Sequence, residues 1–266
     1  MRKQDSDREI HNLEKRFTEL SRTAFQRDII TFSDFLNLNE QNILHMLPKD
    51  KIYSGFLLFG GYESAERQMA AFIPDALSLR SENGRISPEE IAYPFCAVRI
   101  SPLNRNFTEP LTHRDYLGAV LNLGIERSRT GDIIPDGSDA LILVHEDVAG
   151  LITGELTRIR HTSVRADMVP LTQISYTPEY EQIRGTVASV RLDSLLSVAF
   201  TGSRTKLSGL VESARVFVNG RLVTNNGYQP REGDIISVRG LGRFRFDSCG
   251  GRSRKNRLTV MVSKYK

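Results

Sequence analysis

Ser203, Arg204 and Lys206 open the stretch GSRTKLSGLVESARVFVNG, residues 202–220, and Arg215 and Asn219 stand near its end. A hydroxyl, an amide and three cations so close together suit one kind of chemistry. They can hold a phosphate backbone, because Arg forks match phosphate oxygens and Ser and Asn donate to phosphate or sugar. Leu207, Leu210, Val211 and Ala214 fall at i, i+3, i+4 and i+7, which predicts a helix capped by Ser203. Arg204 and Arg215 are 11 residues apart, close to three helical turns, and are expected along one face of it. Cations in a helix's first turn oppose its dipole. A bound anion explains them better than helix stability does. The competing reading is an ordinary helix–hairpin corner of a core.

The flanks extend the pattern. Leu192, Leu195, Leu196 and Ala199 form a second apolar stripe behind Arg191, so two short helices can pack together. Val216–Val218, Asn219-Gly220 and Arg221–Val223 give strand, turn and strand. Ile235 to Arg239 is another strand. Arg243-Phe244-Arg245-Phe246 alternates, so one face is basic and the other apolar. Gly250-Gly251 is expected to turn beside Arg252, Arg254, Lys255 and Arg257, and Leu258 to Val262 is the final strand. Residues 184–266 hold 16 Lys/Arg against 5 Asp/Glu, a net +11. The other 183 residues are net −7, which together gives the chain its +4. A basic third on an acidic body points to a polyanion partner. The candidate polyanion-contacting residues are Arg191, Ser203, Arg204, Lys206, Arg215, Asn219, Gly220, Arg221, Arg239, Arg243, Arg245, Arg252, Arg254, Lys255 and Arg257.

These residues need a frame. An α+β chain of three parts is expected: a helical region 1–48, an RRM-like or ferredoxin-like domain 49–182, and a basic domain 183–266. Ile10, Leu13, Phe17 and Leu20 keep helical spacing, Ser33 begins a second helix signal, and Asn39 caps a third over Glu40 to Leu47. The middle reads as strand Ile52–Phe59, helix Glu63–Phe72, strand Ala92–Ile100 and a helix opened by the box Thr112-His113-Arg114-Asp115. A hairpin about Pro135-Asp136-Gly137, helix His145–Ile159 and strand Val164–Val169 complete it. That order resembles a split β-α-β fold. Ser54–Phe59 has a faint likeness to an RRM aromatic strand, against which stands simple packing of Phe56 and Phe59. Residues 171–182, with Tyr176-Thr177-Pro178, are expected to be a connection. The charged N-terminus lacks a signal-peptide core, and the apolar runs are too short to span a bilayer, so a cytoplasmic protein without membrane contact is expected.

The run RLDSLLSVAFTGSRTKLSGLVESARVFVNG followed by GDIISVRGLGRF resembles the S4 RNA-binding domain, over roughly Arg184 to Phe246. Together with Phe35-Leu36-Asn37, Phe59-Gly60-Gly61-Tyr62 and Leu123-Gly124-Ile125, the layout is similar to the bacterial YlmH family. The resemblance implies non-enzymatic RNA binding, with the two helices and the hairpin as one basic face. It also implies an RRM-like middle, a link to cell-division gene neighbourhoods and the handling of stalled large ribosomal subunits carrying peptidyl-tRNA. The partner expected is structured RNA, rRNA or tRNA; a protein partner through the acidic N-terminal and middle region is a further expectation.

Other chemistries find little support. Gly60-Gly61 is followed by Tyr-Glu-Ser and lacks a dinucleotide fingerprint. Arg191-Leu192-Asp193 copies only the start of a pseudouridine synthase motif, with Leu196 where Thr belongs, so Asp193 is expected to pair a nearby cation. Ser203 to Lys206 matches S-x-x-K without its partner motifs. His145-Glu146 has Ala149 where a second zinc ligand would stand. Cys96 and Cys249 are far apart and suggest neither zinc nor a disulfide. No catalytic residue, cofactor or metal is expected. The alternative is an RNA-modifying enzyme with its active site in the middle domain; a third reading is an adaptor tethered by the basic domain.

Overall fold

A computed structural model describes residues 2–80, 86–105, 109–174, 179–252 and 256–265. The chain divides into two compact units, Met1–Tyr176 and Thr177–Lys266.

The N-terminal unit begins with α1 (Arg2–Arg27), whose Leu13, Phe17, Leu20 and Ala24 lie on one stripe. Phe17 and Ala24 are fully buried. Next comes β1 (Thr31–Leu36), where a helix is expected from Ser33. Ser33 is no cap: its Oγ accepts the Ala70 N–H at 2.9 Å across the strands. Strand pairing has overridden a local polar signal. In α2 (Leu38–Met46) the cap is Asn37, two residues before the expected Asn39. Asn37 Oδ1 accepts the Asn39 and Glu40 N–H groups, and Glu40 Oε2 accepts the Asn37 N–H.

β2 (Gly55–Phe59) and β3 (Gln68–Ile73) complete a three-stranded antiparallel sheet in the order β1-β3-β2. The expected helix Glu63–Phe72 is therefore absent: residues 63–67 form a loop of turns and bends and 68–72 are strand. β3 is central and buried on both faces: Met69, Ala71 and Ile73 face one core, Ala70 and Phe72 the other. A strand buried on both sides loses the alternation that would reveal it. α3 (Asp75–Arg80) follows.

A second sheet is built from β4 (Phe95–Pro102), β5 (Thr130–Asp136), β6 (Asp139–His145), β7 (Arg158–Ile159) and β8 (Thr162–Val169), in the order β5-β6-β4-β8-β7 with every pair antiparallel. α4 (His113–Leu121) follows β4, and α5 (Glu146–Glu155) follows β6. The expected box opens α4: Asp115 Oδ2 accepts the Thr112 N–H at 2.8 Å. Thr112 and Arg160, the latter at 2.6 Å, hold the Asp115 carboxyl below its ordinary pKa. α5 ends at Glu155, short of the expected Ile159, and residues 158–159 pair as a strand. Val98, Ile100, Ile142 and Val144 face Tyr116, Val120, Ala149 and Ile152 of the two helices. Ala97, Leu141 and Leu143, on the opposite face, lie under Phe35, Met69 and Tyr93.

Phe59 packs against this second contact and Phe56 against the cluster under α1. Both belong to the three-stranded sheet. Phe56 packs on Phe72, with centroids 6.2 Å apart, and Phe59 packs on Tyr93 at 5.5 Å. Half-buried, they pack against the core from its edge, the simple packing weighed against a base-stacking strand.

One polar knot ties the two sheets. Asp132 accepts from Tyr62 OH at 2.7 Å, Glu66 N–H at 2.7 Å and Arg67 N–H at 3.1 Å. The buried Arg67 guanidinium donates to the carbonyls of Thr130, Phe35 and Arg127 at 2.8, 2.8 and 3.1 Å. Arg127 donates to Thr130 O, Gly131 O and Thr130 Oγ1. Burial lowers the pKa of Arg67; burial, with Arg67 nearby, pushes Arg127 down to about 10. Gly60 belongs to the same corner. A Cβ there would stand 2.3 Å from Arg67 O and 2.6 Å from Ala65 Cβ. Gly60 is thus a packing glycine.

The C-terminal unit contains β9 (Tyr180–Val187), α6 (Leu192–Ala199), α7 (Arg204–Glu212), β10 (Val216–Val218), β11 (Arg221–Leu222), β12 (Ile235–Val238), β13 (Gly242–Arg252) and β14 (Leu258–Tyr265). One six-stranded sheet runs β11-β10-β12-β13-β14-β9. β9 pairs with β14 along its whole length, from Tyr180↔Tyr265 to Val187↔Leu258. It crosses the boundary expected after residue 182, because its alternating side chains serve this sheet. Gly250-Gly251 do not turn but continue β13 to Arg252. Both apolar stripes share one core with the sheet: Leu192, Leu195, Leu196, Ala199, Leu207 and Val211 cluster with Val216, Val218, Ile236, Phe244 and Val260. Among the described residues no helix is long and apolar enough to cross a membrane.

Candidate nucleic-acid interface

The interface is built from the start of α7 outward. Ser203 caps the helix, its Oγ accepting the Lys206 N–H at 3.3 Å. Its hydroxyl hydrogen remains able to donate outward. Lys206 is exposed in the first turn. Arg204 opens the helix, and its side chain lies outside the described residues. α6 offers no comparable anion site. Its Leu192 N–H donates to Tyr228 O at 2.8 Å and its Asp193 N–H to Asn226 O at 3.4 Å, so a loop occupies those donors. Arg191 is exposed, with Nε 3.4 Å from Asp193 Oδ1, the pairing expected of Asp193.

Arg215 is not on the helix. α7 ends at Glu212, and Ala214 takes a left-handed φ of 58°. The Arg215 N–H then closes on Leu210 O at 3.0 Å. The three-turn spacing from Arg204 therefore has no meaning. Arg215 enters β10 instead, and its Nη2 donates to Arg239 O at 3.0 Å.

Asn219 and Gly220 have φ values of 49° and 76°, both left-handed, as a two-residue I′ turn requires. Asn219 has a structural task as well. Its Nδ2 donates to Asp234 Oδ1 at 2.8 Å and its Oδ1 accepts the Ile235 N–H at 2.9 Å, pinning the hairpin to β12. Gly220 is buried and contributes conformation, not contact. Gly220→Ala is expected to lower stability by about 1–2 kcal/mol, the cost of a left-handed L-residue, measurable by urea denaturation. An unchanged midpoint would contradict the assignment.

The remaining candidates divide by strand parity, because successive strand residues face opposite sides. Arg221 pairs with Val218 and so shares the helix-bearing side; it is exposed. Phe244 and Phe246 are in the core, as expected, which places Arg243 and Arg245 on the opposite face. Arg239 lies there too, 5.4 Å above the Phe217 ring. The candidate cations are therefore divided between two faces of one sheet, with Arg221 on the helix-bearing side and Arg239, Arg243 and Arg245 on the other. Arg252 and Arg257 belong to a third place, the far end of the β13–β14 hairpin. There Arg252 donates to Asn256 Oδ1 at 3.0 Å and Arg257 to Thr186 O at 2.6 Å. Arg254 and Lys255 lie outside the described residues.

All five acidic side chains of residues 184–266 are occupied locally. Asp193 holds Arg191, and Glu212 accepts from Asn226 at 2.7 Å. Glu232 accepts the Cys249 N–H at 2.6 Å. Asp234 holds Asn219 and the Arg231 N–H, and Asp247 accepts from Arg245 and Ser263. They fix the fold while 16 cations give it its charge.

Sequence reasoning missed Tyr180 and Arg184. Both alternate with Ile183, Gly185 and Val187 along β9, a period-2 signal interrupted by its reading as a connection. Elsewhere, burial and Glu146 raise the Cys96 thiol pKa, opposite to the shift a nucleophile needs. His145 caps α5, with Nδ1 accepting the Asp147 N–H at 3.3 Å. Among the described residues no three His, Cys, Asp or Glu side chains are grouped to hold a metal.

Comparison with known proteins gives concordant matches. A family model described as a putative RNA-binding domain in YlmH matches residues 88–173, and an S4 domain model matches residues 190–236. The ribosome-associated protein quality control protein P2 of Bacillus subtilis (strain 168) is 28% identical over 249 residues, covering 93% of this chain and 92% of that protein. A solved structure, cell division protein ylmH from Streptococcus pneumoniae, aligns with a TM-score of 0.48 and 24% identity over 64% of this chain and 94% of that one.

Proposed function

We propose, from the premise that this chain belongs to the YlmH family of S4-domain RNA-binding proteins, that it grips structured ribosomal RNA or tRNA and performs no chemistry on it. The grip is the start of α7 with the hairpin beside it: Ser203, Arg204, Lys206 and Arg221, backed by Arg191. One observation carries this reading. The five acidic side chains of residues 184–266 are all engaged in local contacts within the fold, while exposed Lys206 occupies a helix's first turn, where it serves a bound phosphate better than the helix. Asn219 and Gly220 shape this surface rather than touch RNA.

The name of the Bacillus subtilis relative places that protein in ribosome-associated quality control. We extend this to the chain itself: its RNA is on the large subunit, and its task is the handling of subunits stalled with peptidyl-tRNA. The polar corner about Gly60 and Asp132, the most conspicuous cluster of the middle region, has its groups engaged in fold-holding bonds, which supports a binding role over an enzymatic one. Sedimentation of the full chain with purified subunits tests the assignment. Co-sedimentation with large subunits at 0.1 M salt and release at 0.5 M is expected, since phosphate contacts weaken steeply with salt. Association that ignores salt, or that favours small subunits, would overturn it.

A further inference from the structure

We infer that the face of the six-stranded sheet turned away from α6 and α7 is a second RNA-backbone surface, built from arginines laid over aromatic rings. The inference rests on the RNA-binding reading above and adds a surface that reading does not use.

Strand parity assembles the face. It carries Arg215 and Phe217 from the β10 line, Ser237 and Arg239 from the β12 line, Arg243 and Arg245 from β13, Ser263 and Tyr265 from β14, and Tyr180 and Arg184 from β9. Arg239 lies 5.4 Å over Phe217, Arg243 lies 4.6 Å over Tyr265, and Arg245 lies 5.4 Å over Tyr180. Tyr180 and Tyr265 meet edge-on at 5.0 Å, joining two of the stacks. From β10 to β9 there are four inter-strand steps, so the row spans about 19 Å.

Three features favour RNA as the occupant. First, charge: five arginines share this face with one carboxylate, Asp247, which is held by Arg245 at 2.8 Å and Ser263 at 2.6 Å. Secondly, residue type: its cations are all arginines, and Lys264 lies on the other face, 5.2 Å over Phe200. A planar fork recognises phosphate bidentately; an ammonium acts as a point charge. Thirdly, preorganisation: a guanidinium resting on a ring, as Arg239 rests on Phe217, has fewer conformers to lose on binding. Phe217 and Tyr265 are almost fully covered, yet Arg184, Arg215 and Arg239 remain exposed.

The test is a salt series of full-chain binding to large-subunit rRNA. Arg184→Gln with Arg239→Gln is expected to reduce the slope of log affinity against log salt by about 2, near 0.9 per lost phosphate contact. Arg184→Gln alone, which disturbs no ring, is expected to reduce it by about 1 and guards against a misfolded double variant. Adding Lys206→Glu should lower affinity further and additively, since the two faces are separate. An unchanged slope in both glutamine variants, with Lys206→Glu still losing affinity, overturns this inference and leaves the first reading standing. Loss of binding to a polyglutamate peptide with the RNA slope unchanged also overturns it, in favour of an acidic protein partner. Wild-type protein that binds rRNA without salt dependence overturns both.

Discussion

Arg204→Glu combined with Lys206→Glu is expected to weaken rRNA binding more than tenfold at 0.1 M salt and to reduce the salt slope by about 2. The melting temperature should not fall. Both positions are in the first turn of α7, where the helix dipole disfavours cations and favours carboxylates. The substitutions therefore suit the helix better than the native residues while opposing a phosphate. This separation of effects gives the experiment its force. A binding loss with unchanged or raised stability can come only from the contact surface. Undiminished binding would refute the assignment of α7 as an RNA grip.

Arg67→Met should have the largest effect on stability. The buried guanidinium donates to three carbonyls, those of Phe35, Thr130 and Arg127, from different parts of the N-terminal unit. Met fills the volume and leaves those acceptors without their donor, a mechanism that costs about 1–3 kcal/mol per buried group. A net loss of about 3 kcal/mol is expected, with some relief from removing the repulsion between Arg67 and Arg127. For a unit of this size that is a fall of roughly 10 °C in melting temperature. Arg67→Lys should not restore it, since a single ammonium cannot reach three carbonyls arranged around a planar fork. The salt slope of RNA binding should be unchanged. A melting temperature within about 2 °C of wild type would show the knot to be dispensable.

What the sequence reveals and hides here follows from how many sides of an element are buried. α6 and α7 are legible because each buries one stripe, and Leu192, Leu195, Leu196 and Leu207 are where the 3.6-residue period places them. The Asn219-Gly220 turn is legible because few residue pairs tolerate two successive left-handed conformations. β3 is hidden because Met69 to Ile73 is buried on both faces, and its alanines suit a helix as well as a strand. Arg215 is misplaced by spacing alone: 11 residues make three turns only in an unbroken helix, and Ala214 breaks it. Within the candidate interface, residue identities are readable, but their division between two faces is not. That division depends on the strand register, through which Phe244 and Phe246 turn inward and carry Arg243 and Arg245 outward.

The pairing of β9 with β14 has a consequence for where the domain can be cut. The S4 match spans residues 190–236 and stops inside β12, while the sheet that supports it needs strands on both sides of that segment in the chain. Phe244, Phe246, Val260 and Val262 lie outside the match yet form much of the floor on which α6 and α7 rest. The segment shared with other S4 proteins is not self-sufficient here. Moved into another protein alone, it would expose an unpaired β12 edge and a bare apolar helix face, an invitation to aggregate. The smallest transplantable module runs from Tyr180 to Tyr265.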